Sequence, residues 1–306
     1  MYFPYFRGRQ YELLALNELA IKQLISKKIV PVVEPIKIST TLKNMIKIYK
    51  DNSLSISLVF NPAVGELCGM MDKIKELCPQ CDKANLIPSI IMNEDALSYL
   101  DNMTEYSRNE IITLLSDRDF LSDYEKAFKE LSPLYTLIPD DRQFRRSVTN
   151  NKILFENKFN KKPKNSEYPG DEFFSDDHLF YEDEGYAGFG DYSIVGDEYN
   201  ESGFAPYAVA IHIVYFDKDK TLRLGHFISN SNFDTSDVAG KFYEAVTKLY
   251  RWTETLHPSQ HTEGLNILLN HYNNKTYPGL PTLKKLSIMH HLELINRYLN
   301  GTINNE

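Results

Sequence analysis

Short apolar runs alternate with helical segments through the first half of the chain, and this regularity constrains the fold more than any other feature. The runs are rich in β-branched and aromatic residues, and helical periodicity fills the intervals between them. The predicted strands end near Phe6, Val33, Phe60, Met92, Leu115, Ile138 and Phe155. Strands that alternate with helices favour parallel pairing, and short apolar strands are typical of a sheet covered on both faces.

The alternation predicts an α/β fold of the (β/α)8 barrel type, with an eighth strand expected at Tyr207–Val214. An open, doubly wound parallel sheet is the alternative. Pro31 and Pro88 fall within predicted strands and weigh against central positions for them, because proline has no backbone N–H to donate.

The composition is that of an ordinary folded protein. Of the 306 residues, 42% are hydrophobic and 25% charged, which excludes disordered and collagen-like chains. Three cysteines do not make a disulfide framework in a chain of this length. The first residues show no basic segment followed by an apolar one, and the longest uncharged apolar stretch, 205–216, is too short to span a bilayer. We therefore expect a cytoplasmic protein with no membrane partner.

Charge is distributed unevenly after residue 140. Residues 142–164 carry eight Lys or Arg and one acid, whereas residues 165–217 carry thirteen Asp or Glu and neither Lys nor Arg. The basic stretch could contact phosphates, but pairing between the two blocks is the simpler interpretation. The formal net charge of −8 also argues against nucleic acid as a partner.

We interpret the chain as a single domain, 1–306, with a charged insertion at 142–204 whose acidic, aromatic-rich part is 165–204. Aromatic-rich segments usually pack, so this insertion is expected to be ordered. After it, the run ending at Phe216 is expected to form a hairpin with a strand at 222–228. The helical residues 238–299 belong to the same domain.

Polar residues follow the ends of the predicted strands. In a parallel barrel these ends meet at one rim, where the sites of this fold are built. The candidate ligand contacts at the rim are Arg7, Arg9, Asn61 and Lys158. Glu34 is the candidate catalytic carboxylate, because it lies inside the apolar phrase Val-Val-Glu-Pro-Ile, where a solvated loop residue is less expected. Either it lines a functional site, or it pairs structurally with Arg7 or Arg9.

A glycine-rich segment at 185–193 contains the second candidate catalytic carboxylate, Asp191. Its glycines follow the order G-x-x-G-x-G, which is a weak match to a phosphate-binding loop. Asp191 could act as a catalytic or metal-binding group, or it could cap a turn.

Three further groups of residues are candidate sites. His212 and His226, in the predicted hairpin, are candidate ligand contacts, although a packed histidine is the commoner outcome. The carboxylates and imidazole within 176–184 would suit Mg²⁺ or Ca²⁺, although a solvated acidic face is more usual. Cys78 and Cys81 form a C-x-x-C pair with no second pair nearby, and we interpret it as incidental.

Several phrases of the chain resemble the phage-type beta protein family, and a bacterial branch of it most of all. They include Tyr-Phe-Pro-Tyr-Phe-Arg-Gly-Arg-Gln at 2–10, Ile-Val-Pro-Val-Val-Glu-Pro at 29–35 and Gly-Tyr-Ala-Gly-Phe-Gly-Asp-Tyr-Ser at 185–193. The resemblance implies a barrel-like fold and a setting in antiphage defence or a mobile genetic element. It transfers no catalytic residue, and Gln10 stands where phage members commonly have an acid.

The sequence therefore predicts a barrel that binds a phosphate-bearing or nucleotide-like ligand at its rim, and that is a hydrolase if it is an enzyme. Arg7 and Arg9 would hold the anion. Glu34 and Asp191 would act as general base or as ligands of a divalent cation such as Mg²⁺. The alternative is a non-catalytic partner or sensor protein whose acidic insertion recognises a basic protein.

Overall fold

The computed structural model describes residues 1–77, 85–200 and 206–303. Its strands, numbered along the chain, are β1 Tyr5–Phe6, β2 Val32–Val33, β3 Ile56–Val59, β4 Leu86–Ile91, β5 Ile112–Leu114, β6 Tyr135–Ile138, β7 Lys152–Glu156, β8 Asp171–Ser175, β9 Gly188–Asp191, β10 Ala210–Phe216 and β11 Leu222–Ile228. Its helices are α1 Gln10–Ile21, α2 Thr40–Asp51, α3 Met71–Lys75, α4 Ala96–Asp101, α5 Leu121–Ala127, α6 Arg142–Ser147, α7 Asp177–Phe180, α8 Val238–Thr253, α9 Glu263–Asn273 and α10 Leu280–Leu299.

The described residues group into two compact units. The barrel unit holds residues 1–157 and 177–192. The second unit holds the described part of 158–176 and 193–306. The sequence predicts a single domain, 1–306. Within the described ranges, no helix is both long enough and apolar enough to cross a membrane.

Eight parallel strands form the sheet of the barrel unit, in the order β1-β2-β3-β4-β5-β6-β7-β9. Its two edges meet, because Tyr2, just before β1, forms a parallel bridge with Phe189 of β9. The N–H of Phe3 donates to the carbonyl oxygen of Phe189 at 2.8 Å, and the N–H of Phe189 donates to that of Met1 at 3.0 Å. The sheet is a nearly closed barrel with alternating helices, which confirms the predicted fold class and excludes the open, doubly wound alternative.

The prediction for the eighth strand is wrong. The eighth strand of the barrel is β9, which pairs in parallel with Ile153–Glu156 of β7. The run at 207–214 lies in the second unit, where most of it belongs to β10. The acidic segment 165–204 therefore contains a barrel strand, and it also contains β8, a strand of the second unit. It supplies elements to both units.

Close approach of the backbone explains why β9 lacks the usual sequence signature of a strand. A Cβ atom on Gly188 would lie 2.6 Å from the carbonyl oxygen of Met1, and one on Gly190 would overlap the carbonyl oxygen of Phe3. Only glycine fits where the first residues of the chain run against this strand. Strand prediction depends on β-branched and aromatic residues, so a strand whose inward positions must be glycine is not detected.

Alternate residues of each strand face the barrel interior. The interior is filled by an apolar cluster whose buried members are Phe3, Tyr5, Val30, Val32, Val59, Ile112, Leu114, Leu137, Ile153 and Phe155. The intervening residues face the helices: the hydroxyls of Thr113 and Thr136 are 3.0 Å apart, and the Tyr124 hydroxyl of α5 lies 3.0 Å from that of Thr136. The position of a residue along its strand therefore decides whether its side chain points inward or outward.

The second unit is built on an antiparallel sheet of strand order β10-β11-β8. The pairing of β10 with β11 confirms the predicted hairpin. Helix α8 packs Trp252 against Tyr215 of β10, with ring centroids 5.0 Å apart. Helix α10 contributes His290, whose Nε2 lies 2.6 Å from the carbonyl oxygen of Val214. Both helices thus fix the strand that carries the predicted ligand contact His212.

The glycine requirement in β9 gives the first prediction. Replacing Gly190 by alanine should lower the free energy of unfolding by about 1–3 kcal/mol, the usual effect of overpacking, because the new methyl group meets backbone that cannot turn aside. Urea unfolding followed by circular dichroism measures this change. The matched control is Gly170→Ala, since a Cβ at Gly170 meets nothing within 4 Å. Equal stability of the two variants would contradict the close approach at Gly190.

Candidate functional site

Glu34 lies at the carboxyl end of β2 and is only 1% exposed. It follows Val30 and Val32 on the inward-facing side, so its carboxylate points toward the mouth of the barrel. The Tyr5 hydroxyl donates to Oε2 at 2.7 Å, and Arg7 Nε lies 3.4 Å from the same oxygen. A carboxylate so far from water requires such partners, because an unpaired buried charge is strongly unfavourable.

The loop after β3 supplies two more hydrogen-bond donors to Glu34. The backbone N–H groups of Ala63 and Val64 donate to Oε1 at 2.7 and 3.2 Å. The same loop lies against Ile36, whose carbonyl oxygen accepts the N–H of Glu66 at 2.7 Å. One carboxylate therefore joins the ends of β1, β2 and β3 at the rim.

Burial fixes the protonation of the tyrosine that contacts Glu34. Burial, with the Glu34 carboxylate alongside, raises the pKa of Tyr5 well above its usual value. The phenol consequently stays a proton donor at physiological pH, and the hydrogen bond to Glu34 does not titrate there.

Arg7 follows β1 directly and is held from two sides. Its Nε edge faces Glu34, and its guanidinium carbon lies 5.8 Å from the centre of the Tyr192 ring, within cation–π range. The side chain is 16% exposed, so the cation is largely desolvated but still reaches the surface. A guanidinium in this environment is a suitable contact for a planar or tetrahedral anion.

Two other predicted contacts in the barrel unit have structural partners. The Asn61 amide bridges to β4: its Nδ2 donates to the carbonyl oxygen of Ile91 at 2.7 Å, and its Oδ1 accepts the Ile91 N–H at 2.8 Å. Arg9 precedes α1, and its backbone N–H donates to the Glu12 carboxylate at 3.2 Å. Asn61 thus ties two strand ends together, and Arg9 marks the start of the first helix.

Asp191 lies on the other face of the barrel wall. It shares a strand face with Phe189, whose ring packs against those of Tyr2 and Tyr181, whereas Gly190 between them faces inward. Its Oδ1 accepts the Tyr2 hydroxyl at 2.7 Å. The structure therefore brings Arg7 and Glu34 together and holds Asp191 at the closing seam instead. Its catalytic role stays a prediction.

Lys158, His212 and His226 belong to the second unit. Lys158 is half-buried. His212 and His226 face each other across β10 and β11, with their Nδ1 atoms 2.7 Å apart. Nε2 of His226 lies 3.1 Å from Oε1 of Glu172 in β8. Side chains from three strands thus form a continuous chain of hydrogen bonds.

The environment of these histidines favours their neutral forms. Burial, followed by the charges of His226 and Lys284, lowers the pKa of His212 to about 3. Burial also lowers the pKa of His226, against the opposing effect of the Glu172 carboxylate. Both rings are therefore uncharged near neutral pH.

The other predicted metal-binding residues do not form a cluster in the described parts of the chain. In the described parts of the chain, no group of three or more His, Cys, Asp or Glu side chains is arranged to hold a metal ion. Within the acidic stretch, residues 182–184 are exposed. Cys78 and Cys81 lie outside the described residues, and Cys68 is an exposed free thiol.

Sequence reasoning missed two residues that complete these clusters. Tyr5 is part of an aromatic run and looks like core, and only its place two residues before Arg7, on the inward face, could have suggested a contact with the rim. Glu172 is one acid among many in its segment. The pairing of His212 with His226 could have been found from the register of the predicted hairpin, since its turn lies midway between them.

No protein-family model, no curated protein and no solved structure matches this chain. The resemblance to the phage-type beta protein family stays a prediction.

The contact between Tyr5 and Glu34 gives a stability prediction. Tyr5→Phe should lower the free energy of unfolding by about 1–3 kcal/mol, because it removes a donor from a buried carboxylate. Chemical denaturation measures the effect. Tyr207→Phe, at a tyrosine that is 61% exposed, is the control and should change little. A Tyr5→Phe protein as stable as this control would show that the hydrogen bond does not hold the rim.

Acid should destabilise the second unit through His212. Its pKa is about 3 when folded and about 6.5 when unfolded, so the unfolded chain binds the proton first as the pH falls. Stability is full above about pH 6.5 and declines below it, by at most about 1.4 kcal/mol per pH unit for this group. His212→Gln should show a shallower decline in denaturation experiments between pH 7 and pH 5. Identical slopes would contradict the assignment.

Proposed function

We propose that the barrel unit binds a phosphate-bearing, nucleotide-like ligand at the rim formed by the carboxyl ends of its strands, with Arg7 as the anion contact. The observation that carries the proposal is the fixed position of the Arg7 guanidinium between Glu34 and the Tyr192 ring. Ligand sites in parallel barrels lie at this rim.

Pre-organisation supports the choice of Arg7. A flexible arginine loses conformational entropy when it binds an anion, and one already held by a carboxylate and an aromatic ring loses less. Its partial burial strengthens the attraction to an anion, because screening by water is reduced. A phosphate group matches the forked donors of arginine better than other common anions do, apart from carboxylates.

The contacts of Glu34 favour a positioning role over the general-base role predicted from the sequence. Its two oxygens accept hydrogen bonds from Tyr5, Ala63 and Val64, and the Arg7 guanidinium is their ion-pair partner. A general base must offer a lone pair to the substrate. A carboxylate whose oxygens already accept these hydrogen bonds is poorly placed to do so. We therefore propose ligand binding first, with hydrolysis as an extension that needs a base from elsewhere.

The alternative of a detachable acidic interaction module has less support. Residues 165–204 contain β8 and β9, so removing them would take a strand from each sheet. A setting in antiphage defence or a mobile element belongs to the proposal as well, and it is supported by the quoted sequence phrases alone.

Binding of pyrophosphate and of nucleoside triphosphates, measured by isothermal titration calorimetry, tests the proposal. Arg7→Met keeps the length of the side chain and removes its charge. It should weaken binding about 10- to 100-fold, the equivalent of a lost charged hydrogen bond. Arg146→Met, at an exposed arginine of α6, is the control and should bind as the natural chain does. No binding of any of these ligands, or equal loss in both variants, would contradict the proposal.

Glu34→Gln separates the two roles of the carboxylate in the same titration. If Glu34 positions Arg7, the Glu34→Gln substitution should weaken ligand binding, because Arg7 loses its ion pair. A general base would leave affinity intact and abolish only turnover. Circular dichroism should first establish that the variant is folded.

A further inference from the structure

We propose that His212, in the second unit, is a phosphoryl-accepting residue, and that the hydrogen-bonded chain through His226 to Glu172 prepares its Nε2 as the nucleophile. We call this chain the histidine relay. The proposal is independent of the ligand site in the barrel unit, and its test uses a different reagent and a different readout.

The relay determines which nitrogen carries each proton. Glu172, as a carboxylate, only accepts hydrogen bonds, so Nε2 of His226 must carry the hydrogen that faces it at 3.1 Å. A neutral imidazole has one N–H, so Nδ1 of His226 is an acceptor. Nδ1 of His212, 2.7 Å away, must then be the donor. Nε2 of His212 is left with a lone pair.

The surrounding rings hold the relay in one geometry. Tyr168 stacks on His226 with ring centroids 4.7 Å apart, and it meets His212 edge-on at the same distance. Phe159 lies against His212 from another direction, at 5.3 Å. The second carboxylate oxygen of Glu172 faces Asn160 Nδ2 at 3.5 Å. Rotation of either imidazole would break a hydrogen bond and an aromatic contact together.

His212 is also the more exposed end of the relay. The His226 side chain is fully buried, whereas His212 keeps part of its surface exposed. Among the described residues, no hydrogen bond to Nε2 of His212 is found. The nitrogen with the lone pair therefore belongs to the less buried of the two histidines.

The charge of Lys284 favours a phosphoryl group at His212 over other electrophiles. Lys284 of α10 lies close enough to His212 to lower the pKa of its imidazole, whereas at His226 the carboxylates of Glu172 and Asp171 outweigh the opposite effect of Lys162. The cation beside His212 would stabilise the negative charge of an arriving phosphoryl group. The low pKa also means that the imidazole is neutral, and hence nucleophilic, at neutral pH.

The transfer balances without another reagent when the donor is an N-phosphoryl compound such as phosphoramidate. Nε2 of His212 attacks phosphorus and the new N–P bond forms. The P–N bond of phosphoramidate breaks, and its already protonated nitrogen leaves as ammonia with the electron pair of that bond. The imidazole would then be a cation. Its Nδ1 proton passes to Nδ1 of His226, whose Nε2 proton passes to Glu172. The proton released by the reaction thus ends on the carboxylate.

Incubation of the full chain with phosphoramidate at neutral pH tests the proposal. Mass spectrometry should detect one acid-labile phosphoryl group, and fragmentation should locate it on His212. His212→Gln should abolish the label. Glu172→Ala should slow labelling about tenfold or more, since it removes a charged hydrogen bond from the relay.

His271→Gln is the matched control, since His271 is a half-buried histidine whose Nδ1 lies 2.8 Å from the hydroxyl of Thr276. It should be labelled at His212 as the natural chain is. The absence of a label, or a label of equal extent on His212 and His271, would overturn the proposal. So would a Glu172→Ala variant labelled at the natural rate. If His212→Gln fails to fold, the location of the label in the natural chain decides.

Discussion

The rim of the barrel depends on one buried carboxylate. Removing Glu34 from water is unfavourable by several kcal/mol, and the penalty is offset only because three hydrogen-bond donors and the Arg7 cation converge on it. The donors come from β1 and from the loop after β3, and the cation follows β1. The same carboxylate that must be satisfied for the barrel to be stable therefore also determines where the Arg7 guanidinium lies.

This dependence links the stability of the rim to the ligand binding that we propose there. A rim built from separate surface pairs would tolerate the loss of any one of them, because exposed ion pairs contribute little. At Glu34 the loss of one partner leaves a buried charge that the remaining partners compensate only in part. A binding site whose cation is fixed in this way is expected to be rigid before its ligand arrives, which is the arrangement that gives affinity with little loss of entropy.

Much of this fold follows from local patterns, and the exceptions have physical causes. The first seven barrel strands and the β10–β11 hairpin were predictable because their apolar runs are short and regularly spaced. Strand β9 was not, because Gly188 and Gly190 must leave room for backbone. Among the site residues, Arg7 and Glu34 were predictable as neighbours from the parallel sheet. Asp191 was misjudged as their companion because side-chain direction depends on a strand register that the glycine pattern does not reveal.

Observation of Arg7 during ligand titration tests the central claim most directly. The Nε–H resonance of Arg7, assigned by its loss in Arg7→Met, can be followed by nuclear magnetic resonance as pyrophosphate is added. We expect a saturable shift of this resonance, with that of Arg146 unmoved at constant ionic strength. An Arg7 resonance that stays fixed while other arginines shift would contradict the account.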